Sequence, residues 1–215
     1  EKPPLNFRLE VFDDPSQLPR IVLEEPPNHW RLWFISEDRN RLIQFQDNAL
    51  YFNWRQDGNQ PEYLGFDNMI AKFSDYLQKL SEFFASIDAS LDIKQAELSY
   101  INAIPIERHI EIGQWINITL FDSLESANLS LGIMQTLKRD NAVPYANLYS
   151  SIVTAKHRET GKPVIQVNFT SRGQPGSSDI IAALEFLQDA HDKIHERFLA
   201  TITSHARKQW NLNNV

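Results

Sequence analysis

The chain has 215 residues, 42% of them hydrophobic, with a net charge of −7, enough apolar material for one good core and a single α+β domain over residues 1–215. Its acidic, well-mixed surface argues against a nucleic-acid binder, which needs a basic stripe to neutralise phosphates. The absence of cysteine excludes a disulfide framework, a thiolate metal cage and a cysteine nucleophile.

No apolar run reaches the roughly 20 residues that span a bilayer, and no signal peptide opens the chain, so a cytoplasmic protein without membrane contact is expected. Six of the eleven prolines (Pro3, Pro4, Pro15, Pro19, Pro26 and Pro27) fall in residues 1–29. Proline fixes φ and removes a donor, so this stretch should be extended. One strand fits inside it, "LNFRLEVF" (5–12). The start at "EKPP" without Met leaves room for an N-terminal truncation.

"HWRLWFIS" (29–36) reads as a strand by its aromatic content. "RLIQFQDNALYFNWR" (41–55) reads as a hairpin turning at Asp47-Asn48, a pair that tolerates positive φ. That register sets Phe45 against Leu50, Ile43 against Phe52 and Arg41 against Trp54. The opposite face then carries Gln44, Gln46, Tyr51, Asn53 and Arg55.

Residues 66–87 place Phe66, Ile70, Phe73, Leu77, Leu80, Phe84 and Ile87 on one helical stripe, with Asp67 able to help cap the start. "AELSYINAIPI" (96–106) returns to period two, and "QWINITLF" (114–121) reads as a further strand. Strands follow at 128–139, 145–158 and 163–171, with "ETGK" as a turn. Ser178 or Asp179 should cap a helix running from about 180 to 208.

Each half is therefore several antiparallel strands followed by one long helix. The expected fold is one curved antiparallel sheet with two long helices packed on one face, a helix-grip or TATA-binding-protein-like layout.

Two motifs invite a metal. "HDKIH" (191–195) resembles H-E-x-x-H, with His191 and His195 one turn apart. Asp192 is shorter than the usual Glu and turns away from the apolar stripe of Ile180, Leu184, Leu187, Ile194, Phe198 and Ile202. His191 falls inside that stripe and reads better as a core-facing imidazole. "ERHIE" (107–111) would put Glu107, His109 and Glu111 on one strand face, and reads better as a solvated loop after Pro105. No catalytic pair stands out, and no cofactor is implied. Trp30, Trp33, Trp54, Trp115 and Trp210 read as core or rim anchors rather than a sugar platform.

Several segments together resemble a sporadically distributed bacterial family of uncharacterised proteins. The matching elements are Arg31 to Phe34 with Ser36, Leu42 to Gln44 with Gln46, Asn53 to Arg55, and Tyr100 to Asn102. A closing helix adds Ala190, His191, Ile194, Phe198, Thr203 and Trp210. Members of the family usually begin with one more N-terminal strand, and in its pattern the first histidine recurs while the second position varies. Patchy distribution is similar to that of mobile accessory genes such as toxin–antitoxin or phage-defence modules.

Three functions are expected in order. The first is a non-catalytic protein-binding module that recognises a partner encoded nearby through Gln44, Gln46, Tyr51, Asn53 and Arg55, where neutral amides, a phenol and a guanidinium suit an interface. The second is a small-molecule sensor with a cavity between sheet and C-terminal helix, lined by Tyr100, Asn102 and His191. The third is a metal-dependent hydrolase using His191 and His195.

Overall fold

A computed structural model describes residues 31–46, 48–55, 63–106, 112–117, 129–157 and 160–212. The expected strand at 5–12, Trp30, and the cluster Glu107, His109 and Glu111 lie outside them. The chain divides into two compact units, residues 1–90 and 91–215.

The first unit holds β1 (Arg31–Ile35), β2 (Arg41–Gln46), β3 (Ala49–Trp54) and α1 (Phe66–Ser86). The strands form an antiparallel sheet in the order β1-β2-β3. Gln46 pairs with Ala49, Phe45 with Leu50, Gln44 with Tyr51 and Ile43 with Phe52, the register of a two-residue connection. One side of the hairpin faces α1: Phe52 stacks on Phe73 at 6.5 Å and meets Tyr76 edge-on at 5.3 Å. Gly65, with φ 82°, is the N-cap of α1, a left-handed conformation that suits glycine. Asp67 lies in the first turn, where its charge complements the helix dipole, but makes no capping hydrogen bond.

The second unit holds β4 (Ala96–Pro105), α2 (Ile112–Trp115), β5 (Ser130–Lys138), β6 (Pro144–Lys156), β7 (Pro163–Gly173), α3 (Ile180–Thr201) and α4 (Ser204–Gln209). Its sheet is antiparallel, in the order β4-β7-β6-β5. α3 lies across β4 and β7. Its start is fixed by Asp179, whose carboxylate accepts the Ala182 amide at 2.8 Å. Ala183, Phe186, Leu187, Ala190 and Ile194 are its buried line. The two alanines let the helix settle on Ile165, Val167 and Phe169, which are buried from the sheet side. Gly173 is required where β7 meets β6, since a Cβ there would sit 2.1 Å from the Tyr145 carbonyl oxygen.

The class is α+β with antiparallel strands and two long helices. The strands fall into two sheets where one continuous sheet was expected. Alternation along a strand separates inside from outside but does not say which strand lies beside it. Two further expectations are corrected. Within the strand expected at 114–121, Gln114 and Trp115 belong instead to the short helix α2 and Ile116 makes an isolated bridge to Ile202, while residues 118–121 lie outside the described residues. The last helix breaks at Ile202, which is extended, and Thr203 caps α4 by accepting the Ala206 amide at 3.2 Å. The β-branched run Thr201-Ile202-Thr203 weakens the helix there.

Candidate functional site

Four of the five proposed partner-binding residues share one face of the first sheet, as the hairpin register dictates. Gln44 and Tyr51 are cross-strand partners, and the Gln44 amide donates to Gln46 Oε1 at 3.1 Å. Asn53 is exposed opposite Leu42. Arg55 lies past the end of β3, where its main-chain amide donates to the Asn40 carbonyl at 2.9 Å and its Nε to the Arg39 carbonyl at 3.4 Å. It is thereby fastened to the β1–β2 turn.

That turn is tightly organised. Arg39 adopts a left-handed φ of 58°. The Ser36 hydroxyl bonds the Asp38 carboxylate, which also accepts the Asn40 amide at 3.1 Å and faces Arg41 at 3.4 Å. These contacts, Ser36 foremost, hold the Asp38 carboxyl below its ordinary value.

β1 adds residues to this surface that the polar pattern does not mark. Its pairing places Trp33 beside Gln44 and Ile35 beside Leu42, on the polar side; Leu32 beside Phe45 and Phe34 beside Ile43 fall on the α1 side. Leu32, Phe34 and Ile35 are 51%, 58% and 56% exposed. The signal was present in "RLWFI", an apolar run without alternation, which marks a strand apolar on both faces.

The second cluster lies on α3. Tyr100 and His191 share a hydrogen bond at 2.9 Å between the phenol and Nδ1, so the structure brings together two of the three residues expected for a ligand. The third, Asn102, uses its amide on the Val167 carbonyl at 3.4 Å. His195 stacks on His191 with ring centres 6.2 Å apart. Among the described residues no group of three or more His, Asp or Glu side chains is arranged to hold a metal.

Tyr145 donates to the Asp189 carboxylate at 2.5 Å, a pair that sequence spacing does not reveal because 44 residues separate the partners. Burial, then this carboxylate, pushes the Tyr145 phenol well above its ordinary value. Thr203 and Trp210 have structural work: Thr203 caps α4, and Trp210 stacks between Phe198 and Trp115.

No helix among the described residues is long and apolar enough to cross a membrane. No protein-family model matches the chain, and neither a curated protein nor a solved structure matches it.

Proposed function

We propose that this chain is a non-catalytic protein-binding module that engages a partner protein through the sheet of residues 31–54. One observation carries the reading: β1 displays Leu32, Phe34 and Ile35 more than half exposed, on both sides of a five-residue strand. Contiguous apolar side chains on a strand favour covering by another chain. Covering each half-exposed side chain is worth about 1 kcal/mol. Beside them, Gln44, Gln46, Tyr51 and Asn53 supply neutral hydrogen-bonding groups, which give direction at little desolvation cost. Arg55 marks the rim.

The resemblance to a patchily distributed bacterial family supports a partner encoded next door, in an antitoxin-like or phage-defence complex acting in the cytoplasm. Co-expression with the neighbouring genes tests this. A neighbour-encoded protein should co-purify with the chain, and the double variant Leu32→Ser/Phe34→Ser should weaken the complex by about tenfold or more. The reading falls if the chain elutes alone, or if both that variant and Gln44→Ala/Asn53→Ala retain the partner at the level of the unaltered chain.

A further inference from the structure

The four-stranded sheet has two outer strands, β4 and β5, and their sequences treat the edge differently. The Ile106 amide donates to the Pro163 carbonyl at 3.3 Å, in line with the β4–β7 pairing. By alternation, the main-chain groups that β4 turns away from β7 belong to Glu97, Ser99, Ile101, Ala103 and Pro105. A charge stands at one end and a proline at the other, two usual guards against edge-to-edge pairing.

β5 has no such guard. The Thr154 amide donates to the Leu129 carbonyl at 2.9 Å, so odd-numbered residues of β5 face β6. Ser130, Gly132, Met134 and Thr136 turn their main-chain groups to the other side, where none of the described strands pairs. From Ser130 to Leu137 there is neither a charge nor a proline, in a chain that is 23% charged. Lys138 comes only after a register shift between Leu137 and Lys138. Ile133 and Met134 are both about half exposed, one on each face, so neither face of the sheet finishes covering this strand.

The sequence "SLGIMQTLK" is also complementary to itself. We propose that two copies of this chain pair β5 with β5 in antiparallel fashion about a two-fold axis at Met134, joining their sheets edge to edge. In that register Met134 meets its twin, Gly132 meets Thr136, and Ser130 meets Lys138, so every residue with an outward main chain faces another. On the α3 side Leu131 meets Leu137, and Ile133 lies diagonal to its twin. The strand's one charge lands opposite a serine, so no like charges face each other. Shifting the register by two residues sets Leu131 against Gln135, or Gln135 against itself. On the outer face a groove of about 310 Å³ runs over Gly132, Met134, Tyr149 and Ser151, leaving room beside Gly132 for the partner's Thr136. A two-fold dimer is the commonest closed assembly of a chain with itself.

Light scattering coupled to size exclusion across the micromolar range tests the pairing. The unaltered chain should show twice its 24.9 kDa mass. Met134→Lys and Met134→Glu each place like charges on the axis. Each should raise the dimer dissociation constant by about tenfold or more with unchanged circular dichroism, and an equal mixture of the two should recover the dimer. Should either variant fail to fold, Thr136→Pro gives a second test, since it removes an outward amide that β6 does not use and should likewise yield monomers. A chain that is monomeric throughout, dimers that survive these substitutions, or a charge mixture that stays monomeric would each overturn the proposal.

Discussion

In β7 every second residue from Ile165 onward is buried (Ile165, Val167, Phe169, Ser171 and Gly173), whereas no described side chain of β1, β2 or β3 is. Both sheets are antiparallel and both are followed by a long helix, so the difference lies in how completely the helix covers the strands. α3 carries alanines at 183 and 190 and settles onto its sheet, whereas α1 reaches its sheet through long aromatic side chains, Phe73 and Tyr76. Strands sealed under a helix, as β7 is under α3, are committed to stability. A sheet left half covered keeps surface for a partner.

Urea unfolding of single variants can break or sharpen this contrast. The largest loss should come from Phe169→Ala, about 4 kcal/mol, because Phe169 is 1% exposed and packs edge-on against Phe198. Gly173→Ala should cost about 3 kcal/mol, since backbone atoms of Tyr145 and Ala146 stand where the new methyl must go. Phe52→Ala should cost only about 2 kcal/mol, as its ring is half-buried against α1; a loss equal to that of Phe169 would mean that the first sheet is as well sealed as the second. Phe34→Ser should stay within about 0.5 kcal/mol of the unaltered chain, and a larger loss would show that β1 is core.

The smallest effect concerns acid. Asp38 is held below its ordinary value by Ser36, so its contribution is complete above the unfolded-state pKa of about 3.9 and fades as pH falls through the lower folded value. Ser36→Ala should therefore lower the melting temperature near neutrality more than at the acid end.

The hairpin register was legible because its two faces differ in polarity, so only one pairing sorts them. The start of α3 was legible from Asp179, and the stripe of α1 from its spacing. What sequence could not supply were arrangements between distant residues. "QWINITLF" has strand composition, yet α2 and Ile116 are placed by the α3–α4 corner. The Tyr100–His191 pair joins residues 91 apart, and only the fold shows that the imidazole has a phenol for a neighbour. The polar face is legible, and the unbroken run "RLWFI" marks β1 as apolar on both sides, but which of its residues border the polar face is not legible, since a run without alternation leaves its facing undetermined.

Thr203 donates to the Gln114 carbonyl, its amide donates to the Trp115 carbonyl at 3.0 Å, and the Asn117 side chain donates to the Ile202 carbonyl at 2.8 Å. These bonds act as a clasp between the middle of the chain and its final turns. During synthesis the clasp has nothing to close on until the last helix has left the ribosome, so residues 112–117 must wait for a segment made long after them. Removing the turns around α4 would then be felt upstream, at residues 112–117.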